Sequence, residues 1–383
     1  MKVIAFYLPQ YHSIPENDKW WGKGFTEWSN VKKGKPLFDG HYQPRRPFDN
    51  NYYNLLNDEV KKWQVKLAKE YGITGFCFYH YWFDGHMLLE KPVEQYLKNK
   101  ELDLPFCICW ANEDWTNIWK SDGDTTTLIA QTYGEKKDWI AHFTYLLPFL
   151  KDQRYICENG KPLIVIYRPE IIPCLDEMLE CWLECARKAG LEGITFAYQT
   201  RTYYDKTNGN DKGFDLRIEY QPNYVFQEYS NNQHKILYPL YRWIKSHLLI
   251  KLKHDFILKR RYSFKKYSYD ELWEMIINKK PKDIKSIPGA FVDWDNTSRK
   301  GLNGSVVCGA TPEKFGKYFS RQIKHAKNDY KKDYIFIFAW NEWSESGYLE
   351  PDEKYKTGYL EALKNALIEN GEFEGVINDS TVN

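Results

Sequence analysis

Two carboxylates three residues apart, Glu342 and Glu345, stand in the segment Phe338-Ala339-Trp340-Asn341-Glu342-Trp343-Ser344-Glu345. Cleavage of a glycosidic bond needs such a pair: one group protonates the departing oxygen and the other assists attack at the anomeric carbon. The flanking Trp side chains can desolvate one carboxyl and raise its pKa while its neighbour stays ionised. The bland alternative is a helix N-terminus carrying acids that favour its dipole. An Asn-Glu-Trp run at a strand end is a poor design for mere capping. Asn341 and Trp343 therefore join the candidate site as sugar-binding groups.

Three further segments have the same character. Trp110-Ala111-Asn112-Glu113-Asp114-Trp115 again sets carboxylate and amide between two Trp residues. Trp110, Asn112 and Glu113 could bind hydroxyls or supply a third acid, and a solvent-exposed loop acid is the alternative. Phe6-Tyr7-Leu8-Pro9-Gln10-Tyr11-His12 is followed by Trp20-Trp21-Gly22-Lys23-Gly24-Phe25-Thr26-Glu27-Trp28. Its glycines permit tight turns, and Tyr7, Gln10, Tyr11, His12, Glu27 and Trp28 are candidate substrate contacts. Asp293-Trp294-Asp295-Asn296-Thr297-Ser298-Arg299 adds Asp293 and Asn296. His80, in Phe78-Tyr79-His80-Tyr81-Trp82, reads as a sugar hydrogen-bonding group or a satisfied structural histidine. His12, His41, His80 and His86 lie near acids without H-E-x-x-H or another tight ligand spacing, so neither metal nor cofactor is expected.

Such groups need a frame. Short β-branched and aromatic runs alternate with helical patterns, which argues for βαβ units and a mainly parallel sheet. The expected strands are Val3–Tyr7, Gly75–Tyr79, Pro105–Trp110, Leu163–Tyr167, Ile194–Tyr198, Leu216–Tyr220, Gly289–Asp293 and Tyr334–Trp340. Helices are expected at Asn57–Tyr71, Leu89–Lys98, Lys137–Leu150, Leu175–Ala189, Pro312–Lys327 and Thr357–Glu369. Eight strands in this order imply the α/β class and a single (β/α)8 (TIM) barrel over residues 1–383. Each strand ends in residues able to do chemistry, Arg168 after the fourth among them, and the C-terminal strand ends of such a barrel form one ring. Long loops follow strands 1 and 6. The first, residues 11–56, is aromatic and is expected to line the barrel mouth. The second, 222–286, reads as an insertion between strands 6 and 7, partly helical (Tyr238–Ile250, Asp270–Asn278), forming a subdomain or an association surface.

Composition fits a glycan partner. Aromatic residues make up 17% of 383, with 15 Trp and 30 Tyr. Their flat faces cover the C–H face of a pyranose and their polar edges bond its hydroxyls; plain aromatic packing is the competing reading. A formal net charge of +2 gives no bulk reason to expect nucleic acid or an anionic membrane. The eight Cys are scattered, without C-x-x-C units, and read as core thiols. No apolar run approaches the about 18 residues of a membrane span, and the N-terminus lacks a signal-peptide pattern. A cytoplasmic setting is the expectation.

At this point the chain resembles a known family. The segments Phe6–His12, Trp20–Trp28, Trp110–Glu113, Trp340–Glu345 and Tyr348-Leu349-Glu350-Pro351-Asp352-Glu353 resemble the WbsX-type proteins, which are similar to glycoside hydrolase family 99. The resemblance runs from about residue 1 to residue 365. It implies a (β/α)8 barrel, and by its Asn-Glu-Trp-x-Glu segment a retaining hydrolase acting within α-mannoside chains. Glu342 would then remove the proton of the sugar's own 2-hydroxyl, which attacks the anomeric carbon to give a 1,2-anhydro intermediate. Glu345 would protonate the leaving oxygen and later activate water. The first motif departs from that of the mannosidases, so mannose is carried over by analogy alone. WbsX-type proteins have also been labelled glycosyltransferases of lipopolysaccharide, O-antigen or capsule assembly, and transfer is the main alternative to hydrolysis. A phosphate loop is missing, and Asp293-Trp294-Asp295 matches a D-x-D motif in letters only. The third reading is a non-catalytic glycan-binding protein, against which both acids argue.

Overall fold

A computed structural model describes residues 1–117, 126–201, 211–229 and 265–373. Its centre is a ring of parallel strands: β1 (Lys2–Tyr7), β2 (Gly75–Phe83), β3 (Phe106–Trp110), β4 (Lys161–Ile166), β5 (Thr195–Thr200), β6 (Leu216–Glu219), β7 (Ser286–Ile287), β8 (Gly289–Phe291) and β9 (Tyr334–Phe338). Each pairs with the next from β1 to β7, and β8 pairs with β9, which returns to β1. β7 and β8 are two halves of one staggered strand, separated by Pro288, which has no N–H to give to a ladder. The lower half bonds β6 and the upper half bonds β9, so the ring closes as the expected eight-position barrel.

The strands are buried almost end to end because helices cover the outer face, as parallel sheets require. The helices are α1 (Pro15–Trp21), α2 (Glu27–Lys33), α3 (Asp58–Tyr71), α4 (Lys91–Lys98), α5 (Lys136–Leu150), α6 (Leu175–Lys188), α7 (Tyr269–Asn278), α8 (Pro312–His325) and α9 (Gly358–Glu369). The six helices expected from periodicity are all present, and the expected Asp270–Asn278 is α7. The expected helix Tyr238–Ile250 lies outside the described residues. α1 and α2 belong to the long loop after β1 and fold across the barrel mouth. The core-thiol expectation holds for Cys77, Cys107, Cys109 and Cys181, whereas Cys157 is exposed.

Side-chain alternation along the strands decides what reaches the barrel axis. Phe6 points inward, its ring centroid 5.6 Å from those of Tyr79 and Phe336 and 5.5 Å from that of Tyr220. Its neighbour Tyr7 points outward, where its hydroxyl donates to Gln64 Oε1 of α3 at 2.6 Å. Gly289, the first residue of β8, passes so close to β6 that a Cβ there would fall on the Glu219 carbonyl oxygen. Backbone cannot swing aside as a flexible side chain can.

Gly289→Ala is therefore expected to lower stability by about 1–3 kcal/mol through overpacking at the closing strand. Chemical denaturation would show it as a lower midpoint at unchanged slope; an unaltered midpoint would refute the close approach.

Candidate active site

Three strand-end segments converge on one guanidinium. Arg299 sits on a single helical turn, Thr297–Lys300, after β8. Its Nη2 lies 3.0 Å from Glu27 Oε2 and 3.1 Å from Glu342 Oε1, and its Nη1 lies 3.1 Å from Glu345 Oε1. Glu27 opens α2, and Glu342 and Glu345 follow β9. A buried charge is tolerated only when paired and hydrogen-bonded, and this cluster meets that demand with one cation among three acids. Ser344 Oγ adds a bond to Glu27 Oε2 at 2.5 Å, and Asn30 Nδ2 donates to the same oxygen at 3.2 Å.

The two acids of the Asn-Glu-Trp-Ser-Glu segment differ in environment. Glu342 is buried, and burial pushes its carboxyl well above the ordinary carboxylate value; Arg299 pulls it down, while Glu345 and Glu27 add to the rise. Glu345 keeps 16% of its side chain exposed against 5% for Glu342. Both face a cavity of about 750 Å³ at the C-terminal ends of the strands. Its wall includes Tyr79, Tyr81, Trp115, Tyr167, Tyr220 and Trp294, whose rings offer flat apolar faces beside polar edges.

The turn carrying the acids is fixed from behind. Asn341 clasps the end of β1, with Leu8 N–H donating to its Oδ1 at 2.8 Å and its Nδ2 donating to the Leu8 carbonyl at 3.0 Å. The Tyr11 hydroxyl donates to the Asn341 carbonyl at 2.6 Å and accepts from the Trp343 backbone N–H at 3.1 Å. Beneath them Glu350 accepts from Trp343 Nε1 (2.7 Å), the Tyr53 hydroxyl (2.8 Å) and Gln64 Nε2 (2.6 Å). Burial pushes the Glu350 carboxyl up to about 7, against the pull of those bonds. A last tie joins the two loops: Asp295 N–H donates to the Glu345 carbonyl at 2.8 Å, and Ser298 Oγ to that of Ser344 at 2.7 Å.

Of the residues expected to touch substrate, Gln10, Glu27, Glu113, Arg168, Asn296, Glu342 and Glu345 line the cavity. The others stand behind it. Tyr7, His80 and Trp110 alternate outward from their strands into the helix layer. His80 shares a 3.0 Å contact with His142 of α5, and burial lowers its pKa to about 3. Trp110 packs on His142 and Trp182. His12 is buried, its pKa lowered to about 4 by desolvation. Tyr11, Trp28, Asn341 and Trp343 form the packed and bonded backing of the acid turn. Asn112 spends its amide on the Arg168 backbone, accepting at 2.8 Å and donating to the carbonyl at 2.7 Å. Asp293 is paired with Arg45 at 2.6 Å. Arg299, Tyr79 and Tyr81 stand in segments marked as able to do chemistry but are not among the expected contacts, and all three reach the cavity. The period of two along β2 could have found the tyrosines, since they flank His80 on the opposite face. Arg299 lies in the Asp293–Arg299 segment, but its carboxylate partners are distant in sequence and gave no local signal.

Arg299→Met should leave three carboxylates facing one another without a cation, at a cost of about 3–5 kcal/mol. Without the pull of Arg299 the raised pKa of Glu342 would rise further, so the remaining stability is present at acid pH and lost as pH climbs through that value. Urea midpoints of variant and parent should thus lie closest at acid pH and diverge toward alkaline pH; a pH-independent gap would contradict the cluster.

The chain matches the family described as Glycosyltransferase WbsX over residues 3–363. Two proteins called WxcX and described as uncharacterized, from two strains of Xanthomonas campestris pv. campestris, are each 34% identical over 367 residues, 95% of this chain and 49% of theirs. The chain thus spans about half the length of the curated relatives it matches. Among solved structures, the glycoside hydrolase family 99 endo-alpha-mannosidase of Bacteroides thetaiotaomicron, in complex with bis-tris-propane, aligns with TM-score 0.55 at 14% identity over 96% of each chain. A glycoside hydrolase-like protein aligns with TM-score 0.56 at 13% identity, over 95% of this chain and 93% of its own. Likeness at such identities is one of fold, and it is the barrel of these enzymes that the chain shares. On the match along its length and the identity to its relatives, the chain belongs to the WbsX family.

Proposed function

We propose that the chain is a glycan-active enzyme that cleaves a glycosidic bond with Glu342 and Glu345, retaining anomeric configuration through a 1,2-anhydro sugar. The observation that carries this reading is the gathering of both acids by Arg299 on the wall of a cavity of about 750 Å³. That size falls within the roughly 300–1,000 Å³ typical of ligand sites. The family membership and the barrel shared with family 99 hydrolases support the same direction.

Burial and basicity connect Glu342 to its part. Glu342, desolvated and with its pKa raised, is a stronger base than an ordinary carboxylate once ionised, as removal of an alcohol proton demands. As it takes the 2-hydroxyl proton, that oxygen attacks the anomeric carbon and the bond to the leaving oxygen breaks. Glu345, the more exposed of the two, gives its proton to the departing oxygen. In the second half Glu345 takes a proton from water, the water oxygen opens the three-membered ring, and Glu342 returns its proton to O2. Arg299 moves no proton; it holds both carboxylates in register.

Transfer is the second reading, favoured by the family's own description. The same two acids would serve it if a sugar hydroxyl replaced water. The described residues include no helix long and apolar enough to cross a membrane, and the cytoplasmic expectation stays a proposal.

Sugar release from a panel of bacterial and fungal polysaccharides, α-mannans included, is expected with the parent protein. Glu342→Gln and Glu345→Gln should each lower it by about 10²–10⁴-fold. Turnover seen only when a nucleotide sugar is added would sink hydrolysis in favour of transfer.

A pH profile tests the division of roles. If Glu342 is the base, kcat/KM rises with pH through its raised pKa, placing the acid limb well above the ordinary carboxylate value of 4.5. An acid limb at or below that value would overturn the assignment.

A further inference from the structure

Arg299 answers the charges of Glu27, Glu342 and Glu345. The rest of the described cavity lining has the opposite balance: Arg168, Arg201, Lys265 and Lys300 stand against Glu113 and Asp114. Two of these cations converge on one oxygen. Arg168 Nη1 lies 2.6 Å from Glu113 Oε1, and Arg201 Nη1 lies 3.4 Å from that same atom. The first is a strong charge-assisted bond; the second is too long to be one. Arg168 also bonds Glu170 at 2.6 Å, which leaves Arg201 as the least closely paired of the three described arginines that line the cavity, Arg168, Arg201 and Arg299.

Arg201 is nevertheless held in place. Its guanidinium lies over the ring of Tyr167, another wall residue, 5.5 Å from the centroid. A guanidinium over a ring face is attracted there without using up its N–H donors. Its side chain is 37% exposed, enough to be reached from the cavity. A structural ion pair gains little from a second arginine at 3.4 Å on an oxygen already bonded. An anion arriving with the ligand would give that arginine a close partner.

We propose that Arg201, with Arg168 beside it on Glu113, receives an anionic substituent of the glycan, a carboxylate or a phosphate, so that the substrate is an acidic polysaccharide. The guanidinium fork meets both kinds of group in two parallel bonds. The net cationic lining outside the Arg299 cluster adds attraction at longer range and disfavours cationic sugars. The inference rests on the cavity being the glycan site of the preceding reading, and not on which reaction follows.

The test is binding, measured by calorimetry with the Glu345→Gln chain, which keeps Arg201, Arg168 and Glu113 and consumes the ligand at least about a hundredfold more slowly. The probes are oligomannuronates, phosphorylated mannan oligosaccharides and neutral mannan oligosaccharides of matched length. One acidic class should bind at least about tenfold more tightly than the neutral one, and which class does so separates carboxylate from phosphate. The preference should shrink at high salt, vanish with Arg201→Gln and return in part with Arg201→Lys. Arg201 is at the cavity surface, and an unchanged melting temperature in these variants shows that the fold is intact. Neutral oligosaccharides binding as well as both acidic classes would overturn the proposal. So would a preference that survives Arg201→Gln, or failure of every acidic probe to bind. A chain that binds acidic glycans but releases no sugar would sink the hydrolase reading and leave this one standing.

Discussion

The site depends on one ion cluster: a buried guanidinium shared among three carboxylates. Removing charges from water is costly, and the cost is recovered only where geometry brings partners close on several sides. Arg299 achieves this with acids drawn from two loops, one 272 residues upstream and the other 43 residues downstream. Every other local arrangement follows from the need to bring those loops to one point. α2 must start at the barrel mouth to deliver Glu27, the turn after β8 must be short and tight, and the chain after β9 must double back beneath the cavity.

Around the cluster, polar groups away from the cavity carry the structural burden so that the acids need not. The side-chain amide of Asn341 fastens the chain after β9 to the backbone of Leu8 at the end of β1. Glu350, an acid with no route to the cavity described here, anchors the indole of Trp343 and the hydroxyl of Tyr53. Because these ties use backbone, amide and indole donors, they hold the acid turn without competing for the lone pairs of Glu342 and Glu345. Arg299 is then the cation that holds the pair, and burial the force that sets Glu342 apart.

Much of this was legible in the sequence. Strand and helix positions follow from hydrophobic period, and the Trp-Asn-Glu-Trp-Ser-Glu segment stands out because two acids and two indoles crowd six residues. What sequence conveyed less well was direction. His80 and Trp110 have residue types suited to sugars, yet alternation turns them into the helix layer, where desolvation keeps His80 neutral. Tyr79 and Tyr81, one step either side of His80, take the cavity places instead. Aromatic richness was likewise split between two uses: Trp28 and Trp343 are packing, whereas Tyr167, Tyr220 and Trp294 are wall. Arg299 lay within a segment singled out for its acids, but only closure of the barrel reveals that its partners come from opposite ends of the chain.

That closure has a consequence for how the molecule comes into being. β1 cannot meet β9 until some 330 residues of intervening chain have been laid down, as the separation between Leu8 and Asn341 shows. Contacts of such long range are formed late and slowly, because loop entropy must be overcome before they reward it. A nascent half-barrel would hold Glu27 with no Arg299, and β8 would reach its place beside β6 only through the narrow passage at Gly289. The ion cluster is thus assembled in the same event that closes the ring. Site and topology are acquired together, and a partly folded chain has no assembled ion cluster on the cavity wall.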